Sequence, residues 1–268
     1  HLLWITCEQP TTDNQQLTTC KVYNTIMSFD LEKHLAEEHR MTPFSTYLKE
    51  IVYGGNDGLV TTFAVVAGFA GAQAQISTLP VTAVLLFGFA NLFADGVSMS
   101  LGNFLSGRAQ KDVYRNFKQK ELAEIRTHSD TEKAESVEIL KRKGFSTDQA
   151  NQLVKLYVTN EPYWLDFMME KELTLPNPEG DNHVAMAVAT FFSFVGFGLI
   201  PLLPYLFSKG DGSLFAYSVA ATLIALILLG VLRWQVTGQS WLRSVSETLL
   251  LGSIAALVAY FVGMMFRV

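Results

Sequence analysis

The apolar positions of this chain are gathered into long unbroken runs rather than recurring every three or four residues. That grouping predicts helices immersed in a bilayer instead of amphipathic helices around an aqueous core. Five runs approach or exceed the ~20 residues that a helix needs to cross hydrocarbon: about 52–75, 80–107, 183–207, 213–234 and 244–266. The first is the most polar of them. Between the second and third lies a charged, sparsely apolar stretch, residues 108–182, which predicts a small helical domain outside the membrane. The expected fold class is an all-α membrane protein with five transmembrane helices and a helical insert between the second and third spans. The expected divisions are an N-terminal tail at 1–43, two spans within 44–107, the insert at 108–182 and three spans within 183–268.

Local signals refine the elements. No breaker follows Gly107, so the second helix is expected to leave the membrane and continue through about Thr127. Ser129 and Glu132 have the spacing of a capping box for a helix ending at Gly144, and Ser146 with Gln149 repeats it. Pro162 suits the first turn of a further helix, which should fade before Pro176 and Pro178. Pro201 and Pro204 are expected to bend or end the third span. The polar tail is expected to be disordered, with a short charged helix over 30–40 whose Glu37, Glu38, His34 and His39 read as a solvated face. Residues 1–27 lack a signal-peptide layout.

Charge adds orientation. The net charge is −5, yet Arg108, Lys111, Arg115, Lys118 and Lys120 directly follow the second span, and Arg40 and Lys49 precede the first. The stretch from Gln73 to Leu79 has no basic residue. Counting positive charges places the N-terminus and the insert in the cytosol and the C-terminus on the far side. Basic residues beside a membrane answer to lipid headgroups and topology, so nucleic-acid binding has no support. Cys7 and Cys20 offer neither a metal spacing nor a disulfide framework.

Two groups of residues carry chemistry. In the second span, Asn91, Asp95, Met99 and Asn103 recur at intervals of four, which predicts a single helical stripe. An ionisable group at such depth costs at least about 2.5–3.5 kcal/mol on insertion scales and normally faces a bundle interior or an aqueous path. Asp95 lies 15 residues beyond Pro80, roughly 22 Å along a helix, which brings it to the depth expected of Asp57 in the first span. The alternative for Asp57, within GGNDG, is a cap at the start of its helix.

In the insert, Glu121 with Glu124 and Glu132 with Glu135 each put two carboxylates on one helix face, and Met168, Met169 and Glu172 follow on the last helix. Carboxylates alone suit calcium, magnesium or manganese, and added thioethers favour softer transition metals. Taken singly, each glutamate reads as a solubilising surface residue and the methionine pair as packing. Three functions compete: metal transport, a di-iron oxidase, and a membrane-anchored metal-binding or storage module. The oxidase needs Glu-x-x-His pairs, whereas His128 follows Glu124 at four.

The runs YGGNDGLVTTFAVVAGFAGA, FADGVSMSLGNFLSGRAQ, GFGLIPLLPYL and ETLLLGSIAALVAYFVG resemble, in order, the membrane segments of the vacuolar iron transporter family, over roughly residues 44–268. The resemblance implies a five-helix homodimer that exchanges Fe2+, with Mn2+ as a second candidate, for protons. It implies transport out of the cytosol, across a vacuolar-type or bacterial inner membrane. It also implies that the insert binds metal through Glu121, Glu124, Glu132, Glu135, Met168, Met169 and Glu172, and that Asp57 and Met99 lie on the path. Two positions depart from the family pattern, since Asn91 and Asn103 stand where many members have carboxylates. Amides ligate cations through oxygen but carry no proton near neutral pH.

Overall fold

The computed structural model describes residues 34, 43–73, 81–207 and 213–265. The expectations for the tail and for the loops at 74–80 and 208–212 lie outside these residues. The elements below belong to the unit Pro43–Val268.

Every regular element among the described residues is helical. After a short turn at Pro43–Thr46, α1 runs Leu48–Gln73 and α2 runs Val81–Thr127. The insert adds α3 (Ser129–Arg142), α4 (Thr147–Val158) and α5 (Glu161–Lys171). The chain then continues through α6 (His183–Gly198), a 3-10 turn at Ile200–Leu202, α7 (Leu203–Phe207), α8 (Leu214–Thr237) and α9 (Trp241–Met265). Among the described residues, four segments are long and apolar enough to cross a membrane: α2, α6 through α7, α8 and α9. Their outward side chains are apolar, Leu86, Phe192, Leu250 and Phe261 among them. Such a surface requires lipid rather than water, and this is an integral membrane protein.

α1 is long enough to join these four but more polar, and it packs against α6, α9, α8 and α2. The close approach of α1 to α6 depends on glycine. A Cβ at Gly54 would stand 2.8 Å from the Thr190 carbonyl oxygen, and one at Gly58 would overlap the Phe194 backbone. Small residues at such contacts let backbones pack closely where no hydrophobic effect drives association. The glycine run of α1 therefore lies inside the helix. Asp57 follows nine residues after Leu48 and caps nothing.

α2 is continuous through Thr127, as the absence of a breaker predicts. Its buried positions change from Val84, Gly88, Leu92 and Gly96 in the first half to Tyr114, Glu121 and Ile125 in the second. One helix thus serves two cores. Gln149 and Ser146 form the expected capping box, and Asn160 caps α5 ahead of Pro162. The capping box expected at Ser129 is absent. His128 occupies the cap position of α3 with no side-chain cap bond, and Ser129 is already helical. Glu132 is drawn into the interior instead, where its carboxylate has other neighbours. Gly144 ends α3 at φ 101°, and the Pro201–Pro204 pair produces the 3-10 turn that bends the third span.

Candidate metal centre and membrane path

The three helices of the insert that carry acids each bury one face. On α3, Glu132, Ser136 and Leu140 are buried at intervals of four; on α5, Trp164, Leu165, Met168 and Met169 are. The α5 residues close on Tyr114 and Ile125 of α2, with Ile139 of α3 against them, while Leu140 packs on Ala150 and Val154 of α4. Glu121 is buried on α2 between Tyr114 and Ile125. The result is an apolar core with carboxylates at one edge. Glu121, Glu132 and Glu172 each bring one carboxylate oxygen within 4.8 Å of the others. Oε1 of Glu121 and Oε2 of Glu132 are buried and find no donor group among the described residues, so the two acids can bond each other only by sharing a proton.

The electrostatics follow from that geometry. Burial, and then the charges of Glu172, Glu132 and Glu124, push Glu121 up from 4.5 to about 8. Burial and the surrounding glutamates likewise push Glu172 to about 7, and Glu132 moves upward chiefly through burial. Glu124 and Glu135 are exposed but act electrostatically on the buried acids, so all five glutamates belong to one field. The basic residues of α2 nearest these helices are engaged elsewhere. Lys111 and Arg115 hold Glu179, Lys118 holds Asp166 at 2.7 Å, and Arg126 holds Glu161 at 2.6 Å. A cluster of acids short of countercharge suits a multivalent cation.

Met168 and Met169 are fully buried in the core beneath the carboxylates. Ser136, one turn from Glu132, lies 3.1 Å from the Met168 sulfur and 2.8 Å from the Glu132 carbonyl oxygen. The Trp164 indole Nε1–H donates to the Ser136 oxygen at 2.8 Å. Ser136 and Trp164 are supporting residues that the sequence reading missed; the spacing of Ser136 from Glu132 was the available signal. His128 is exposed and contacts Thr127, and its charge acts on Glu132 from outside the three-carboxylate cluster.

In the membrane part, Asp57 of α1 and Asp95 of α2 are near enough to interact electrostatically. Asp57 shares a face of α1 with Ala64 and Gly68, which line an open groove of about 800 Å³ between α1, α2 and α9. Asn91 lines the same groove. The interval-of-four series does not form one stripe, however. Four residues advance a helix by more than one turn, so such a row drifts about 40° per step. By Asn103 the row has left the groove and reached α6, where the Asn103 amide donates to the Thr190 hydroxyl at 2.8 Å. Asp95 and Met99, both half-buried, lie between these ends. Glu247 is ion-paired, at 2.9 Å from Arg233 and 3.0 Å from Arg243.

Comparison with known proteins adds a family. A sequence model described as the VIT family matches residues 48–264. The chain is 34% identical over 231 residues to vacuolar iron transporter 2 of Oryza sativa subsp. japonica, covering 85% of this chain and 92% of that protein. It is 34% identical to vacuolar iron transporter 1 of Arabidopsis thaliana over 239 residues, 88% of this chain and 94% of the relative. Similarity to the vacuolar iron transporter of Toxoplasma gondii extends over 268 residues at 32% identity, 94% of this chain and 85% of that one.

Proposed function

This chain belongs to the VIT family, and from that premise we propose that it is an antiporter moving Fe2+, and also Mn2+, out of the cytosol in exchange for protons. It is a transporter, not an enzyme. The observation that carries the metal reading is the cluster of Glu121, Glu132 and Glu172, with oxygens within 4.8 Å and two of the acids each burying an oxygen that finds no donor group among the described residues. Glu124 and Glu135 draw cations toward it, and Met168 and Met169 beneath it bias the site toward transition metals.

From the insert the ion passes along α2 to Met99, Asp95 and Asp57. With Asn91 and Asn103 in place of acids, Asp57 and Asp95 are the proton acceptors of the span. Protonation from the far side neutralises them and releases the metal. α1 is the fifth span in this reading, since four helices surround it, and the N-terminus and insert face the cytosol. The groove between α1, α2 and α9 leaves Asn91 open on one side, and a second copy of the chain would supply the missing wall. The host membrane is vacuolar-type or a bacterial inner membrane.

Uptake of Fe2+, Mn2+, Co2+ and Zn2+ in competition by proteoliposomes tests the reading. Metal accumulation driven by an opposing proton gradient supports it. Tight binding by the purified chain with no flux of any of the four would instead assign a storage or sensing role.

A further inference from the structure

Between Glu121 and Met99, α2 spans about 33 Å at 1.5 Å per residue, and its charged side chains there are Arg108, Lys111, Asp112, Arg115, Lys118 and Lys120. A divalent cation travelling this distance passes five basic residues and one acid on α2 itself, and Glu179 and Asp166 beside them are already held by Lys111, Arg115 and Lys118. Neutral donors suit such a stretch.

Two such donors lie along the contact of α2 with the first turns of α6. Both ring nitrogens of His183 are buried and lack a hydrogen-bond partner among the described residues. The imidazole lies against Gly107 of α2, where a Cβ would stand 2.5 Å from Nδ1. Gly107 is one turn from Asn103, so the His183 ring fills the place of the side chain that α2 lacks there. A neutral imidazole always presents one N–H and one lone pair, and buried polar groups of this kind are normally bonded. Turning the ring out of the contact breaks no hydrogen bond.

The second donor is Asn103. The Thr190 hydroxyl donates its only proton to the Met186 carbonyl oxygen at 2.9 Å, so it can only accept from Asn103. The amide nitrogen is thereby fixed toward Thr190 and Oδ1 points away, with no partner among the described residues. The imidazole against Gly107 and the amide one turn away at Asn103 thus follow one another along the contact of α2 with α6.

We propose that His183, with Asn103 Oδ1, forms a neutral waypoint for a divalent transition metal between the carboxylate cluster of the insert and Met99 in the span. The proposal rests on the transport reading above. Its chemistry is specific: imidazole binds Co2+ more tightly than Mn2+, whereas oxygen donors discriminate between them less.

The test uses the full-length chain in proteoliposomes, with Co2+ and Mn2+ uptake measured separately for wild type and His183→Gln. Loss of the nitrogen ligand is expected to lower Co2+ uptake about tenfold or more and Mn2+ uptake by less, so that the Co2+/Mn2+ ratio falls. An unchanged ratio, whether both fluxes persist or both fall together, overturns the waypoint while leaving transport intact. Wild-type vesicles that take up neither ion overturn the transport reading and the waypoint with it. If the glutamine variant does not assemble, His183→Cys carries the comparison: its soft donor is expected to hold the ratio at the wild-type level or above, and a fall would overturn the proposal.

Discussion

Glu121 and Glu132 bring carboxylate oxygens within 4.8 Å of each other inside the insert, and each buries one oxygen that finds no donor group among the described residues. Two acids held this way without a cation cannot both be ionised cheaply. In the proposed reading, a metal ion between this pair and Glu172 would offset that cost.

The first consequence is a pH dependence of stability. Glu121 sits at about 8 and Glu172 at about 7 in the folded chain, against an ordinary 4.5. The folded state thus retains protons that the unfolded chain has released. Its advantage is fully present below about 4.5 and is lost as pH rises through 7 to 8. Thermal unfolding of chelator-treated protein should show a falling midpoint over that interval. Fe2+ or Mn2+ should restore it at pH 8, and Glu121→Gln should flatten the profile. A midpoint that rises with pH in the metal-free protein would contradict the assignment.

Binding should follow the opposite course. Because Glu121 and Glu172 must give up protons to ligate, affinity for Mn2+ should increase from pH 6 to pH 8, with proton release detectable by calorimetry in buffers of different ionisation enthalpy. Glu121→Gln or Glu132→Gln should weaken binding by about tenfold or more. Glu124→Gln and Glu135→Gln, at exposed positions, should cost less and lose their effect at high salt. Equal losses at all four positions would deny the buried acids their special place.

Ser136 should prove structural and functional at once. Ser136→Ala leaves the Trp164 N–H without its acceptor, at a cost of about 1–3 kcal/mol, and removes the contact to Met168. A lower unfolding midpoint of the insert and a shifted Trp164 emission are expected. A silent substitution would show that the Trp164–Ser136–Met168 chain does not hold the site together.

The α1–α6 contact makes a separate prediction. Gly58→Ala places a methyl against the Phe194 backbone, and overpacking of this kind costs about 1–3 kcal/mol. Detergent-solubilised protein should melt earlier. Gly102→Ala, with open space around the position, serves as the control and should melt as wild type.

Much of this architecture could be read from the residues because bilayer thickness imposes long apolar runs and because Pro201, Gly144, Ser146 and Pro162 mark turns by local chemistry. The continuity of α2 was legible from what was missing after Gly107. Local rules failed where tertiary burial competed with them. Glu132 satisfied the spacing of a cap, yet the interior claimed its carboxylate and His128 took the cap position. The row Asn91, Asp95, Met99, Asn103 read as one stripe because the drift of an interval of four was neglected; over twelve residues the row leaves the groove and meets α6. Trp164 and His183 were invisible for another reason. Each matters through a partner distant in sequence, and nothing in the local pattern announces a long-range bond or the lack of one.

The central claim is that a metal crosses this protein past Asp95 in exchange for protons. Its most direct test is Fe2+ uptake by reconstituted vesicles with an acidic lumen, comparing wild type with Asp95→Ala. Wild-type uptake that collapses when the proton gradient is dissipated, together with at least a tenfold loss in the variant, about 1.4 kcal/mol in barrier, is the predicted result. Equal flux through both proteins, or wild-type flux indifferent to the gradient, would contradict it.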